Sequence, residues 1–373
     1  VPRTDVPSRY DALLPLGSGP LAQVAFGVLR GARGYRRPIV LKRAIVGSPE
    51  AEEALTREAH VAARLNHPNL IHVYELFEQS GQLILAMEYA AGPSLLVLRE
   101  RVAAGGGRMP WAVAARIVAD AARGLSHAHR ARDDQGAPLG IIHRDVSPKN
   151  LVVTEDGITK VLDFGIARSA FASVTRVAVV KGTLGYLSPE QATGAPLSQR
   201  TDVFSLGTVL VELLTGRSLF QGADARATME AVLRVPVPPL PPELPPSVGD
   251  VVAAMMARDP SHRTVALDHV ADTLEAASAN SGGSHRDVAA FVEAECGALL
   301  AHRRDRVRAL LGGDDAAPPR LTGNDETSTL VLLEAALGAP SLDEEHPRIG
   351  ADDDRTLLDG MAAPDATEID LPD

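Results

Sequence analysis

The sequence predicts an α+β fold, rich in strands over its first part and mainly helical after that. Three observations carry this. Between Tyr10 and Tyr89, apolar runs of strand length (LLPLGSGPLAQV, RRPIVLKRAIV, GQLILAMEY) are broken by glycine turns. From Trp111, apolar residues recur at helical spacing in WAVAARIVADAARGLSHAHR and again in TDVFSLGTVLVELLTGRSLF. Between those helices, two short β-branched runs, 151–154 and 158–162, flank an Asp156-Gly157 turn and read as a hairpin.

Taken in order, the first strand starts at Tyr10, turns through Gly17 and Gly19, and returns at Val24. Glycines there let backbone amides approach phosphate oxygens, which a side chain would obstruct; an ordinary hairpin is the alternative. The next strand holds Lys42 among apolar residues. Ser48-Pro49 supplies an N-cap and a first-turn proline, opening a helix to about Leu65. On it Glu58 shares a face with Ala54, Val61, Ala62 and Leu65, and an acid on an apolar face needs a partner, for which Lys42 is the candidate. HPNLIHVYE and GQLILAMEYAAGPSL read as two further strands, and RARDDQGAPLG as a surface loop. Asp202, near the start of its helix, reads as an N-cap. PVPPLPPELPPS reads as a rigid connector, with a ligand for a polyproline-binding partner as the alternative. Residues 285–311 read as an amphipathic helix, basic towards its end, with Asp287 a helix-start acid.

The chemistry gathers around the hairpin. HRDVSPKN (143–150) precedes it and Asp163-Phe164-Gly165 follows it, so the hairpin folds Asn150 back beside Asp163. An amide oxygen and a carboxylate are hard ligands suited to magnesium held largely by phosphates and water, and Asp145 is free to accept a hydroxyl's proton. That combination points to phosphoryl transfer from a nucleotide.

These two stretches, in this order and spacing, resemble the protein kinase signatures HRDLxxxN and DFG. The resemblance runs from Tyr10 to about Ser278 and implies a two-lobed fold, a small β-rich lobe followed by a larger helical one, using ATP and Mg2+. By it, Leu16, Gly17, Ser18, Gly19 and Val24 form the phosphate loop and its flanks, with Ala22 in place of the third glycine of GxGxxGxV. Val40 and Lys42 match VAIK, with Val40 for Ala, and Glu58 pairs with Lys42. Met87 lies beside the adenine pocket, Glu88 to Ala91, including Ala90, form the hinge that binds the base, and Val152 joins them. Asp145 is the catalytic acid-base residue, and Asn150 and Asp163 hold metal. Asp202 braces the catalytic loop and Arg263 pairs with Glu190.

The segment between DFG and Glu190 is then the substrate shelf, and Gly182-Thr183 resembles the serine/threonine class. Arg144 would meet a phosphate on Ser173 or Thr175 in that segment, which also holds Ser169 and Thr183. Ser147 stands where serine/threonine kinases place a lysine, and Lys149 where tyrosine kinases place an arginine; Lys149 is expected to substitute for the missing lysine. Ala22 and Ser147 keep open a second reading, a catalytically weak nucleotide-binding scaffold.

Composition bounds the rest. The 373 residues are 45% hydrophobic, enough for a full core, and their single cysteine, Cys296, excludes an internal disulfide and suits a small apolar role. The opening VPRTDVPSRY lacks the apolar core of a signal peptide and no stretch reaches ~18 apolar residues, so a cytoplasmic protein without a membrane span is expected. Net charge is −11, but residues 312–373 hold 16 acids against 3 arginines, leaving 32 acids and 34 bases in residues 1–311. A tail with that charge and no Phe, Tyr or Trp is expected to be disordered apart from a short helix near 328–337. Thr322, Thr356 and Thr367 each have an Asp three places on, the pattern a phosphothreonine-reading partner would recognise; a solubilising tail is the alternative. Protein substrates are the expected partners, and nucleic acid is not.

Overall fold

Period-two alternation with both faces buried builds the first lobe. In a computed structural model, which describes residues 9–18, 21–164, 184–264 and 266–312, five antiparallel strands lie in the order β1-β2-β3-β5-β4. They are β1 (Tyr10–Ser18), β2 (Ala22–Arg30), β3 (Arg36–Ala44), β4 (Val73–Gln79) and β5 (Gln82–Glu88). Ala25, Ile39, Leu41, Ile84 and Ala86 bury one face, while Val24, Phe26, Val40, Leu85 and Met87 bury the other with helix α1 (Pro49–Ala62). Lys42, two residues from Val40, therefore shares the α1 face. Gly19, Gly165, the hydroxyls Ser169, Ser173, Thr175 and Thr183, and the acidic tail with Thr322, Thr356 and Thr367 lie outside the described residues.

Ser48 caps α1 as expected, its hydroxyl accepting from the Ala51 amide at 3.2 Å. The helix stops at Ala62 rather than near Leu65, because the Arg64 and Leu65 amides close tighter bonds to the Val61 and Ala62 carbonyls, at 3.1 and 3.0 Å. HPNLIHVYE is a strand only from Val73. Its first half docks elsewhere: Asn69 O accepts from Val161 N at 2.9 Å, Ile71 N donates to Val161 O at 3.0 Å, and Asn69 Nδ2 donates to Thr159 O.

The second lobe is helical: α2 (Leu95–Ala104), α3 (Trp111–His129), α4 (Pro189–Thr193), α5 (Gln199–Thr215), α6 (Ala225–Arg234), α7 (Pro246–Met255), α8 (Leu267–Ser278) and α9 (His285–Gly312). Helices α3 and α5, buried nearly all round, run through its core. Helix α2, which the strand reading of GPSL obscured, is capped by Ser94 accepting from Val97 N at 3.1 Å. The proline-rich stretch joins α6 to α7 and lays Val237, Leu240 and Leu244 on the core, as a connector does. Ser284 and Asp287 cap α9 reciprocally, and Cys296 is buried. The hairpin forms as read, with β6 (Leu151–Val153) paired to β7 (Thr159–Val161). No helix among the described residues is long and apolar enough to cross a membrane.

Candidate active site

Strand β3 and helix α1 bring their two charges together. Lys42 Nζ lies 2.8 Å from both Glu58 oxygens and 3.6 Å from Asp163 Oδ1. Burial works against the ammonium, but Asp163 and Glu58 outweigh it and hold Lys42 above the ordinary lysine range. Burial also pushes the Glu58 carboxyl up, against the pull of Lys42 and with the push of Asp163. One cation thus serves two carboxylates in a partly dry cleft.

The loop 143–150 is held from behind. Asp202 lies inside the first turn of α5, whose cap is Ser198, so the N-cap reading of Asp202 is corrected. Its carboxylate accepts from the amides of His143 at 2.7 Å and Arg144 at 2.8 Å, and lies 2.8 Å from His129 Nε2. Arg144 has φ 68° and Asp163 φ 50°, left-handed backbone that costs a non-glycine residue of order 1–3 kcal/mol and persists where neighbours hold it. For Arg144 those neighbours are Asp202 at its amide and Gln191 Nε2 donating to its carbonyl at 2.9 Å. His143, fully buried, ties the two halves of the site: Nδ1 accepts from Asp145 N at 3.3 Å and Nε2 bonds Leu162 O at 2.7 Å.

Asn150 Nδ2 donates to Asp145 O at 2.7 Å and Asp145 Oδ2 at 3.0 Å, which turns its amide oxygen away from Asp145. The Leu162 amide donates to Asn150 O at 2.9 Å, so the hairpin brings Asn150 back to the start of Asp163-Phe164 as read. Lys149 Nζ is 3.5 Å from Asp145 Oδ2. An amide oxygen beside one carboxylate fits a magnesium ion that keeps most of its shell for phosphates and water. Among the described residues no group of three His, Cys, Asp or Glu could hold a metal by itself.

Leu16, Val24, Val40 and Met87 share one apolar cluster; Ala90, Val152 and Leu162 form another. The two clusters flank the linker between the lobes, and Gly17 pairs with Val24 at the mouth of the first. Behind Met87, a cavity is lined by Glu58, Leu65, Leu70, Val161, Asp163 and Phe164. Glu88 spends its amide on His72 O at 2.8 Å and its carboxylate on Lys160 at 3.1 Å and on the His72 amide at 3.1 Å.

Sequence reasoning missed Lys160, His129 and Gln191, which act through partners far along the chain. Ser147 is buried with a hydroxyl that lacks a hydrogen-bond partner among the described residues. Glu190 and Arg263 do meet, at 2.8 Å and 3.3 Å. Arg263 also donates to the carbonyls of Ala257, Arg200 and Arg258, and its guanidinium stacks over Phe204.

The protein kinase domain family matches residues 10–273. Tyrosine-protein kinase MasK of Myxococcus xanthus is 33% identical over 374 aligned positions, covering 97% of this chain and 55% of that protein. Serine/threonine-protein kinase PknA of Mycobacterium tuberculosis is 35% identical over 278, covering 73% and 62%. Serine/threonine-protein kinase PrkC of Bacillus subtilis is 32% identical over 271, covering 69% and 39%. This chain thus spans about half the length of such relatives.

Proposed function

Because this chain belongs to the protein kinase family, with a domain match over most of its length, we propose that it transfers the terminal phosphoryl group of ATP, with Mg2+, to serine and threonine hydroxyls of proteins. The observation that carries this is the convergence of Lys42, Glu58, Asp145, Asn150 and Asp163 in one cleft. Asp145, held by the Asn150 amide, orients the acceptor hydroxyl and takes its proton. Asn150 Oδ1 and Asp163 would hold the metal, which when bound would neutralise charge on the phosphates. Lys42, fixed by Glu58, holds the phosphates, and Gly17 to Gly19 offer backbone amides. Leu16, Val24, Val40, Met87 and Val152 enclose the adenine, whose edge meets the backbone from Glu88 to Ala90.

Two relatives of the serine/threonine class and the Gly182-Thr183 pair support that acceptor. The Myxococcus relative's name, with Lys149 four residues after Asp145, favours a tyrosine acceptor as the second reading. Incubation with labelled ATP followed by phosphoamino-acid analysis decides between them. Phosphoserine and phosphothreonine are expected; phosphotyrosine alone would reject the first reading, and no transfer would leave the scaffold.

Lys149 sits 3.5 Å from Asp145, which supports a role for it in neutralising charge on the transferring phosphate. Lys149→Ala is expected to lower kcat by about a hundredfold, the scale of losing one preorganised donor, with ATP affinity within about twofold. An unaltered turnover rejects the role.

Arg144 is the residue we assign to reading a phosphate on the substrate shelf. Its Nε is buried without a hydrogen-bond partner among the described residues, and a phosphate on Ser173 or Thr175 would supply acceptors. Phosphate mapping of active enzyme is expected to find one of the two modified. Full activity of the doubly alanine-substituted protein would refute this.

A further inference from the structure

The family match stops at residue 273, and α9, His285–Gly312, lies wholly beyond it. Its 28 residues reach roughly 42 Å at 1.5 Å per residue, far enough to touch both lobes. At its start His285 Nε2 lies 3.0 Å from Asp120 Oδ1 on α3, and Val288, Val292, Cys296 and Leu300 are buried in the helical core. At its end Val307 and Leu310 pack on the sheet-lobe cluster of Leu16, Val24 and Met87, and Arg36 donates to the Leu311 carbonyl. Between these anchors lies Arg303, 2% exposed, whose Nη1 donates to the Gly92 carbonyl at 2.8 Å.

Gly92 belongs to the linker between the lobes, immediately after the residues read as the adenine edge. The carbonyls on either side of it are already tied: Ala91 O accepts from Glu155 N at 2.9 Å and Pro93 O from Val153 N at 3.1 Å. A Cβ at Gly92 would stand 2.1 Å from Val153 O, so the linker runs flush against β6 on one side. Arg303 closes the carbonyl left over. Its charge also reaches Tyr89, whose hydroxyl burial pushes up to about 12 against the pull of the guanidinium, and the Tyr89 ring meets Phe26 of the sheet lobe edge-on at 5.4 Å. A helix that merely wrapped the lobes would present aliphatic side chains here, as α9 does at Val307 and Leu310. Taking a guanidinium out of water is costly unless its hydrogen bonds are needed.

We propose that Arg303 is a positioning residue of the nucleotide site: through the Gly92 carbonyl, α9 holds the linker backbone from Glu88 to Ala91 in the geometry that receives adenine. This rests on the kinase reading above. Since the base is bound by backbone atoms, a shift of the linker costs ATP affinity and leaves the chemistry at Asp145 untouched.

Initial rates against ATP concentration, measured on the full chain, test this. Arg303→Ala is expected to raise the KM for ATP about tenfold, the scale of one hydrogen bond to a charged group, with kcat within about twofold. Arg303→Met, which keeps the apolar stem and loses the donors, is expected to do the same and carries the test should the alanine variant not fold. Arg303→Lys is expected to recover much of the affinity. Arg308→Ala, on the exposed face and paired with Asp305, should match the wild type. Unfolded protein lowers apparent kcat without moving KM, so a purely structural role is distinguishable. An unchanged KM in both Arg303→Ala and Arg303→Met, or a fall in kcat alone, overturns the inference. A wild type that transfers no phosphate overturns the kinase reading and this inference with it.

Discussion

Asp145→Asn is expected to lower phosphoryl transfer by about a thousandfold while ATP affinity stays within a few-fold. The substitution is nearly isosteric. Asn at 145 can still meet Lys149 and the Asn150 side chain with its amide oxygen, so the loop keeps its shape; what it loses is the oxygen able to take a proton. Asp145 is engaged by Asn150 and Lys149, whereas Lys42 and Glu58 pair with each other on the nucleotide side, and binding should therefore survive. Transfer from labelled ATP, paired with an ATP-binding titration, separates the two effects. Transfer that persisted at the wild-type rate would remove Asp145 from the chemistry, and a joint loss of transfer and binding would assign it to folding of the site instead.

The largest expected effect on stability lies in the second lobe. Arg263→Ala is expected to destabilise the protein by ~3–5 kcal/mol, the usual cost of leaving one member of a buried ion pair behind. Both partners are buried, at 2% and 5% exposure, and Glu190 would be left with the Thr201 hydroxyl, 2.9 Å away, as its side-chain donor. Burial alone raises the Glu190 carboxyl; Arg263, with help from Thr201 and its own backbone, more than reverses this and holds it below the ordinary range. A depressed carboxyl contributes stability that is present above its unfolded pKa, about 4.3, and is lost as pH falls through the folded value. In Arg263→Ala burial acts unopposed by the guanidinium, so the gap between wild type and variant should widen from about pH 4 towards 7. Denaturant unfolding at several pH values measures it, and a gap below ~1 kcal/mol at pH 7 would show the pair to be energetically idle.

What the sequence by itself determined was local or periodic. The hairpin from Leu151 to Val161 needs a few residues and a turn, and it alone carries Asn150 back to Asp163. Lys42 and Glu58 could be matched because strand period two and helical period 3.6 each place one charge on an apolar face, and two such charges need one another. The kinase resemblance extended this to Asp202 and to Glu190–Arg263, pairs that periodicity cannot supply. Only the tertiary structure decided which partner a given face would meet. Asn69 and Leu70 look like strand but leave the sheet for β7, since their amides and carbonyls find that edge before β4 begins. His129 reaches Asp202 across 73 residues. Arg303 reads in sequence as one more base on a solvated helix end, yet it is buried on a carbonyl 211 residues away. A helical period states how wide the apolar stripe is and is silent about where the helix lies, so a buried cation at its margin becomes visible only once the lobes that enclose it are assembled.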